Sequence, residues 1–253
     1  MTTKTLNILI TGASSGIGEA LALYYAKNKT CRLFLCGRDK QRLDDVRQRC
    51  GQTGAEVHAE PVNVADRQAV QDWINACEKT APLNIVYANA GVATLEETPE
   101  NIYNTFNINV FGVLNTVVPA VEIFKQRQDS DKTIVITSSI AGYHGLPSCP
   151  SYSASKACVK AYGEAVRSSL KPYGIKVCVV CPGFVKSRIT DKNTCPMPFF
   201  WQADKAAETI AAKVEKNIGL IAFPWPMRLA SWFMSVIPNR ISDFIYSRLP
   251  HKV

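Results

Sequence analysis

A glycine-rich segment between an apolar run and a helix-length segment constrains the fold of this chain more than any other feature. Residues 7–11 form a short apolar run, and TGASSGIG follows at residues 11–18 and leads into a predicted helix over residues 16–27. Glycines at 12, 16 and 18 permit a tight turn and a close approach of the backbone to a phosphate. The helix amino terminus adds unpaired N–H groups and a positive dipole end. The segment predicts a strand–loop–helix unit that binds a nucleotide, with a merely flexible turn as the alternative.

The rest of the chain alternates short apolar runs with helix-length segments. Further strands are predicted at residues 32–36, 56–60, 85–88, 133–137, 176–181 and 220–223, and helices at 40–50, 66–79, 99–124, 151–170 and 204–216. Most of these strands are continuously apolar, which is typical of strands covered on both faces. Repeated β-α-β units predict an α/β Rossmann fold, a doubly wound parallel sheet of about seven strands with helices on both faces. Without a proline- or glycine-rich linker, we interpret residues 1–253 as one domain.

Composition and charge exclude several classes of protein. With 253 residues and a hydrophobic share of 47%, the chain can bury a sizeable core and is not typical of disorder. We expect no signal peptide ahead of residue 7, and Pro224, Pro226 and Arg228 make residues 218–238 a poor membrane span. The net charge of +8 is spread along the chain without a run of six basic residues. It therefore favours a solvated surface, then an anionic cofactor or substrate, over nucleic acid.

The cysteines indicate a reducing compartment. Their number, nine, is odd and their spacing does not match a disulfide scaffold, so we expect a reduced, cytoplasmic protein. Cys178 and Cys181 form a C-x-x-C pair, but they lie on a predicted strand. Because residues three apart on a strand point to opposite faces, the pair is interpreted as core packing, with a redox or zinc role as the alternative.

The end of the second predicted strand bears on the choice of cofactor. An NAD enzyme of this fold places a carboxylate there for the ribose 2′-hydroxyl, whereas a 2′-phosphate calls for a cation. This chain has Gly37 at the expected acidic position and Arg38 next to it. A guanidinium can hold a phosphate through two parallel charge-assisted hydrogen bonds, so the sequence predicts NADP(H) rather than NAD(H). The alternative is that Arg38 is only a solvated loop residue.

A tyrosine and a lysine supply candidate acid/base chemistry. Tyr152 and Lys156 are four residues apart on a predicted helix that follows a strand end bearing serines, so they share a helix face. A nearby ammonium favours the phenolate, and we expect it to lower the pKa of the phenol from about 10. Such a group can donate a proton to a forming alkoxide. Tyr25 and Lys29 have the same spacing, and we assign that pair to the surface of the first helix.

Together these motifs resemble the short-chain dehydrogenase/reductase family, in its compact single-domain branch. The resemblance runs from about residue 6 to residue 223. The segment at residues 11–18 is similar to the family's TGxxxGxG loop, and Asn89-Ala90-Gly91 is similar to its NAG motif. Pro182-Gly183 resembles the PG pair that closes over the nicotinamide. In this order and at these spacings the matches are specific.

The resemblance implies a catalytic set of Asn109, Ser139, Tyr152 and Lys156. Ser139 is preferred to Ser138 because it stands thirteen residues before Tyr152, the usual spacing in the family. The implied roles are proton transfer by Tyr152, a hydrogen bond from Ser139 to the substrate oxygen, and a hold on the nicotinamide ribose by Lys156, which also lowers the tyrosine pKa. Asn109 would anchor a water that leads protons to bulk solvent. Hydride passes directly between cofactor and substrate carbon, so no metal is required.

The resemblance also implies a set of cofactor contacts. The chain departs from the family pattern at Asn63-Val64 and from Pro224 onward, where it matches no general family motif. Asn63-Val64 stands where the family commonly has Asp-Val beside the adenine, and Ser187 stands where it usually has a threonine that touches the carboxamide. The expected cofactor-binding residues are Gly12, Ser14, Ser15, Gly16, Ile17, Gly18, Gly37, Arg38, Asn63, Val64, Asn89, Ala90, Gly91, Tyr152, Lys156, Pro182, Gly183, Val185 and Ser187.

Three function classes follow from these observations. The leading one is an NADP-dependent carbonyl reductase or alcohol dehydrogenase. Members of the family are often dimers or tetramers, so the resemblance also implies a homo-oligomer. The second is a non-catalytic NADP-binding sensor or scaffold, which the complete catalytic set disfavours. The third is a nucleic-acid-binding module, for which the sequence has no aromatic-interleaved basic motif.

Two segments bear on the substrate. Residues 184–201 form an insert that is expected to cover the active site. The aromatic residues at 199–201 indicate an apolar or bulky substrate, such as a ketone, a steroid-like or an acyl-chain compound. The alternative is that these aromatic residues pack against the domain. Residues 224–253 form an apolar and basic C-terminal extension, and residues 218–253 carry four Lys/Arg against one acid, a net charge of +3. The extension either makes a peripheral membrane contact or buries against the domain or a neighbouring subunit.

Overall fold

The computed structural model of the protein describes residues 5–94, 96–129, 131–191, 193 and 196–248, and a seven-stranded sheet forms the centre of this part of the chain. All strands are parallel, in the order β3-β2-β1-β4-β5-β6-β7. This confirms the doubly wound α/β sheet. The strands are β1 (Leu6–Thr11), β2 (Cys31–Cys36), β3 (Glu56–Glu60), β4 (Ile85–Ala88), β5 (Lys132–Thr137), β6 (Ile175–Pro182) and β7 (Leu220–Phe223).

Helices cover both faces of the sheet. One core packs α1, α2 and α8 against the sheet, and a second core packs α3, α5 and α6 against its other face. Successive residues of a strand serve the two cores in turn, as with Ile8 and Leu9, because strand side chains alternate between faces. The helices are α1 (Gly16–Asn28), α2 (Lys40–Gly51), α3 (Arg67–Thr80), α4 (Pro99–Phe106), α5 (Gly112–Lys125), α6 (Pro150–Leu170), α7 (Arg188–Asp191), α8 (Ala203–Glu215), α9 (Trp225–Val236) and α10 (Asn239–Tyr246).

Local sequence signals explain where several helices begin. The carboxylate of Asp39 accepts a hydrogen bond from the Arg42 backbone N–H at 3.0 Å, and the hydroxyl of Thr98 accepts one from the Asn101 N–H at 3.3 Å. Both are N-cap contacts that satisfy otherwise unpaired donors in the first helical turn. Pro99 follows at the first helical position, where its missing N–H costs nothing.

The long helix predicted over residues 99–124 contains one irregular turn. Between α4 and α5 the residues Asn107–Phe111 form a π-helical turn, which the sequence pattern did not predict. By length and composition Pro99–Lys125 could cross a membrane, but half of its most apolar window is buried inside the protein. Its packing against the sheet and α3 is that of a core helix.

The assignment of Tyr25 and Lys29 to the surface of the first helix is wrong for the tyrosine. Tyr25 is completely buried, and its hydroxyl lies 2.7 Å from the hydroxyl of Tyr87 on β4. The reason is that α1 turns this face towards the sheet, where a large side chain fills the core and the two hydroxyls satisfy each other. Lys29 does reach the surface, where it pairs with Glu215 at 2.5 Å.

The two cysteines of the C-x-x-C pair lie on opposite faces of β6, as predicted. Cys178 belongs to the core with α1, whereas Cys181 packs with Ile140 and Ala222 on the other side. Cys31, Cys36, Cys50, Cys77, Cys158, Cys178 and Cys181 are free thiols, and Cys195 lies outside the described residues. Burial raises the pKa of the Cys178 thiol to about 11, which suits a core residue rather than a reactive thiolate.

Candidate active site

A cleft of about 980 Å³ opens where the parallel strands end. Each of five strands contributes the residue that directly follows it: Gly12, Gly37, Asn89, Ser138 and Gly183. The strand order reverses direction between β1 and β4, and such a switch point opens the crevice in which doubly wound proteins bind ligands. The fold thereby collects motifs from most of the chain around one cavity.

Most of the residues predicted from the sequence line this cleft. They are Gly12, Ser14, Ser15, Gly16, Ile17, Gly37, Arg38, Val64, Asn89, Ala90, Gly91, Ser139, Tyr152, Lys156, Pro182, Gly183, Val185 and Ser187. The predicted residues that do not line it are Gly18, Asn63 and Asn109. Asn63 lies at the surface, where its side chain accepts a hydrogen bond from the Ala65 N–H at 3.2 Å. The contact of Asn63 with the adenine, which the family resemblance implies, stays a prediction.

The glycine-rich loop adopts backbone conformations that favour glycine. Gly12 and Gly16 have φ values of 68° and 59°, in the left-handed region. A Cβ on Gly12 would lie 2.7 Å from the Cα of Ala90, and one on Gly16 would lie 2.9 Å from the Cβ of Ser187. The loop can therefore pack closely against the loops after β4 and β6. The Ser15 side chain makes no capping bond, which leaves the first N–H groups of α1 available to an anion.

Thr11 and Asn89 join the ends of two neighbouring strands. The Thr11 hydroxyl accepts hydrogen bonds from the N–H groups of Asn89 and Ala90 at 3.0 and 3.2 Å. The Asn89 side-chain amide donates back to the Thr11 carbonyl at 3.1 Å. Asn89 thus positions the glycine-rich loop as well as lining the cleft. Sequence reasoning did not single out Thr11; a polar residue at the end of an apolar strand was the available signal.

Two arginines stand at the end of the cleft beside β2. Arg38 is exposed and lines the cleft, and Arg42, one turn into α2, lines it as well. Arg42 pairs with Asp39 at 2.8 Å, yet its buried Nε has no hydrogen-bond partner among the described residues. An unpaired buried donor on a cation is what a phosphate oxygen would satisfy. The sequence interpretation missed Arg42, although its place in the first turn after the Asp39 cap was a usable signal.

Three of the four catalytic candidates, Ser139, Tyr152 and Lys156, meet in the cleft. Lys156 donates from Nζ to the Thr137 carbonyl at 3.0 Å, and Nζ lies 5.8 Å from the centroid of the Tyr152 ring. The Ser138 hydroxyl donates to the Lys156 carbonyl at 2.7 Å, which ties the end of β5 to α6. Ser139 is the better placed of the two serines, because its hydroxyl lies beside the Tyr152 side chain and this interaction lowers the tyrosine pKa. The same hydroxyl accepts a hydrogen bond from the Ala141 N–H at 3.1 Å and donates to the Pro182 carbonyl at 3.3 Å.

Burial dominates the acidity of both titratable groups. It raises the pKa of Tyr152 to about 12, although the hydrogen bond with Ser139 acts in the opposite direction. Burial lowers the pKa of Lys156 to about 8, because the charged amine is removed from water. The expectation that Lys156 lowers the tyrosine pKa is not what this geometry shows: the ammonium lies over the ring and points to a backbone carbonyl, so desolvation outweighs its charge.

Asn109 lies behind the cleft, in the π-helical turn. Its side chain is completely buried, accepts a hydrogen bond from the Val92 N–H at 2.8 Å and donates to the Val92 carbonyl at 2.9 Å. It also donates to the Ser155 hydroxyl at 3.0 Å. Asn109 therefore connects the loop after β4 with the residue that precedes Lys156. The role in anchoring a water, which the family resemblance implies, stays a prediction.

Part of the insert over residues 184–201 lines the cleft, but its aromatic cluster does not. Phe184 and Ile189 contribute to the cavity wall. Trp201 instead stacks on Phe223 of β7, with ring centroids 4.9 Å apart, so packing against the domain is the correct alternative for this residue. Phe199 is exposed outside the cleft. Residues 192, 194 and 195 of the insert lie outside the described part of the chain.

The C-terminal extension closes the apolar end of the cleft. From α9 the side chains of Met227, Ala230, Ser231 and Met234 line the cavity. From α10 Tyr246 lines it too, and its ring stacks on His144 with centroids 5.6 Å apart. One side of the extension thus packs on the domain, which agrees with the predicted alternative that the extension buries against it. Lys252, counted in its positive charge, lies outside the described residues.

Comparison with known proteins assigns the family. The family model described as short chain dehydrogenase matches residues 6–196, and the chain belongs to that family. An uncharacterized oxidoreductase of Myxococcus xanthus is 32% identical, with 95% of this chain and 96% of the relative covered. With Ser139, Tyr152 and Lys156 gathered in one cleft, the protein is an oxidoreductase of the dehydrogenase/reductase class that acts on CH–OH groups.

Solved structures agree with the fold. A short-chain dehydrogenase from Sphingobium yanoikuyae, in complex with NADPH, superimposes with a TM-score of 0.80 at 24% identity and 98% coverage of both chains. A short chain dehydrogenase/reductase from Burkholderia phymatum, in complex with NAD, gives a TM-score of 0.82 at 23% identity, with 100% of this chain and 99% of that chain covered. At these identities the likeness shows the architecture alone.

Proposed function

We propose that this protein is an NADP(H)-dependent oxidoreductase that reduces the carbonyl group of an apolar or bulky substrate. The observation that carries the proposal is a single cleft with three parts: the glycine-rich loop, the Tyr152–Ser139 pair and an apolar wall. A nucleotide-binding sensor without turnover would require neither the Tyr152–Ser139 pair nor the apolar wall. A nucleic-acid-binding module would not require them either.

The cleft fits a nicotinamide dinucleotide. The N–H groups at the start of α1 would hold the pyrophosphate, and the glycine conformations leave room for it. Arg38 and Arg42 would hold a ribose 2′-phosphate, because a glycine stands at position 37, where an acid would bind the 2′-hydroxyl, and the buried Nε of Arg42 has no partner among the described residues. The nearby Asp39 carboxylate is engaged by the guanidinium and the backbone N–H of Arg42. When bound, NADPH supplies the hydride for the reaction.

The acidity of the catalytic groups favours the reductive direction. With a pKa of about 12, Tyr152 holds its proton at neutral pH and can deliver it from the hydroxyl to a substrate oxygen that becomes an alkoxide. Ser139, beside that hydroxyl, can donate a second hydrogen bond to the same oxygen. With a pKa of about 8, Lys156 is mostly charged at neutral pH and adds a positive potential at the reacting centre.

The apolar end of the cleft favours a substrate with a sizeable hydrocarbon part. Its wall combines side chains from three segments: the loop before α6, the insert and α9. They include Leu146, Phe184, Ile189, Met227 and Met234. Methionine side chains adapt to irregular apolar ligands. Ketones, steroid-like compounds and acyl-chain carbonyls are therefore the classes proposed.

A substrate screen tests the reaction. The full chain is incubated with NADPH and a panel of aldehydes, ketones, steroids and acyl-chain carbonyls, and turnover is followed by the loss of NADPH absorbance. We expect turnover of at least one bulky carbonyl and its abolition in Tyr152→Phe, with NADPH binding retained in a fluorescence titration. NADPH binding without turnover of any carbonyl would contradict the proposal and favour the sensor.

A charge substitution tests the cofactor preference. Arg38→Asp is expected to weaken NADPH binding by about tenfold to a hundredfold, the usual loss for a charge-assisted hydrogen bond, and NADH binding far less. Arg47→Asp, an exposed position on α2, is the matched control. An unchanged ratio of NADPH to NADH affinity in Arg38→Asp would show that the phosphate is bound elsewhere.

We further propose that the protein is a cytoplasmic homo-oligomer. The continuous helical segment from α4 to α5 exposes Tyr103, Phe111 and Val118, an apolar surface that a second copy can cover. The free thiols of Cys31, Cys178 and Cys181 fit a reducing compartment. Analytical ultracentrifugation tests the assembly: Phe111→Ser is expected to shift a dimer towards monomer, and a monomeric wild-type chain would contradict it.

A further inference from the structure

The helix α9 has two apolar faces. Its inner face lines the cleft through residues spaced one, three or four apart: Met227, Ala230, Ser231 and Met234. On the opposite side, large apolar residues recur at similar helical spacing, and each exposes more than half of its surface: Trp225, Leu229, Trp232, Phe233 and Val236. A surface helix of a soluble domain ordinarily turns polar and charged residues to that side. The outer face of α9 is therefore an apolar surface that the described residues leave uncovered.

The following helix also exposes apolar side chains and adds positive charge. On α10 the side chains of Ile241 and Phe244 are exposed, and the guanidinium of Arg248 lies over the Phe244 ring, 3.8 Å from its centroid. Residues 225–248 contain three arginines against the single acid Asp243. Together these exposed side chains form the tail surface: Trp225, Arg228, Leu229, Trp232, Phe233, Val236, Arg240, Ile241, Phe244 and Arg248.

We propose that the tail surface docks on an anionic lipid bilayer. Helices that lie in the plane of a membrane interface combine Trp, Phe and Leu on one face with Arg or Lys around it, and bind more strongly to anionic lipids. Tryptophan rings are themselves enriched at the level of the headgroups. Trp225, which exposes 75% of its surface, and Trp232 provide such anchors. The arginines at positions 228, 240 and 248 are available to lipid phosphates.

A second copy of the same surface fits it less well. A twofold pairing would bring the three arginines of one copy close to those of the other, with only Asp243 to offset them. Like charges brought together at an interface oppose association. An anionic bilayer matches both the apolar rings and the arginines. Charge complementarity therefore favours the lipid surface.

The location of the tail surface gives docking a consequence for the substrate. Because α9 lines the cleft with its inner face, docking places the apolar wall of the cleft about 10 Å, one helix diameter, from the bilayer. An apolar carbonyl compound dissolved in the lipid can then enter the cleft without crossing water. This consequence rests on the proposed function, whereas the docking itself does not.

Co-sedimentation with vesicles tests the docking. The full chain is mixed with vesicles of phosphatidylcholine alone or with added phosphatidylglycerol, at low and at physiological salt. We expect binding to the anionic vesicles, weakened by salt, together with a blue shift of tryptophan emission as Trp225 and Trp232 leave water. Absence of binding to anionic vesicles at low salt would overturn the proposal.

Paired variants separate the two components of the surface. Trp225→Ser with Trp232→Ser is expected to lower vesicle binding more than tenfold, whereas Arg228→Gln with Arg240→Gln lowers it by about tenfold, since each cation near an anionic surface contributes several-fold. The controls are Tyr173→Ser, an exposed aromatic just before β6, and Arg47→Gln, an exposed arginine on α2. Equal losses in the control variants would overturn the assignment to the tail surface.

Two further measurements distinguish the remaining outcomes. If the tryptophan variant turns a wild-type dimer into a monomer in ultracentrifugation while neither protein binds vesicles, the surface is covered by a second copy and the proposal fails. NADPH consumption with a soluble carbonyl substrate, measured without vesicles, reports on the proposed function alone. Retained turnover in both tail variants, combined with lost vesicle binding, is the result expected.

Discussion

Replacement of Lys156 by methionine is expected to abolish turnover and yet to stabilise the protein at neutral pH. The lysine is 3% exposed, and its ammonium donates to one carbonyl, that of Thr137 at 3.0 Å. Removal of the charge from water is what lowers the pKa of this amine. Methionine has a similar shape and carries no charge to bury.

The size of the effect follows from the pKa of the buried amine. Its fall from 10.5 to about 8 corresponds to about 3 kcal/mol, at 1.36 kcal/mol for each pKa unit. Loss of the hydrogen bond to the Thr137 carbonyl offsets about 1 kcal/mol of this. Lys156→Met should therefore raise the free energy of unfolding at pH 7 by about 2 kcal/mol, or the melting temperature by about 4–8 °C for a chain of this size.

The gain should disappear as the pH rises. Between about pH 8 and pH 10.5 the unfolded wild-type chain binds the lysine proton and the folded chain does not, so wild-type stability increases with pH over this window. The variant lacks this titration, and the two stabilities converge near the upper limit. Urea unfolding of both proteins from pH 7 to about pH 10, without cofactor, measures the difference.

A matched substitution controls for net charge. Lys27→Met removes the same charge from an exposed position on α1. Its stability should differ little from that of the wild type at any pH. If Lys156→Met were less stable than the wild type at pH 7, or if its advantage did not change with pH, the argument from burial would be refuted.

The remaining predictions concern three other side chains. Arg42→Gln should weaken NADPH by about tenfold and NADH by less than about twofold in fluorescence titrations; equal losses would contradict its contact with the phosphate. Tyr25→Phe should cost about 1–2 kcal/mol in urea unfolding, because the buried Tyr87 hydroxyl loses its partner; no change would refute this. Ser139→Ala should lower kcat by about a hundredfold, with the KM for NADPH unchanged; an unaffected kcat would exclude its bond to the substrate oxygen.

The architecture and the cleft could be predicted because their signals are local. Each strand and helix has its own apolar pattern, and the turn at residues 11–18 favours glycine for steric reasons. Parallel strands then bring the residues after β1, β2, β4, β5 and β6 to one edge of the sheet. This is why Gly12, Gly37, Asn89 and Gly183 line one cavity although up to 171 positions separate them in the sequence.

The features that could not be predicted depend on packing between distant segments. Whether Tyr25 faces the sheet or the solvent is decided by the rotation of α1 and by the presence of Tyr87 on another strand. The pKa of Tyr152 depends on complete burial, which a four-residue spacing does not reveal. Both faces of α9 are apolar, so the sequence does not show which one lines the cleft and which one is exposed.

The π-helical turn at Asn107–Phe111 constrains the number of residues in the helical segment from α4 to α5. An α-helix advances by about 100° per residue, so one extra residue in a turn resets the direction of every side chain that follows. The buried face of α5, from Val113 to Phe124, and the buried side chain of Asn109 are both oriented with this turn in place. Chains that lost or gained a single residue here would have to reorient an entire helix, which makes this short stretch less tolerant of length changes than the loops around it.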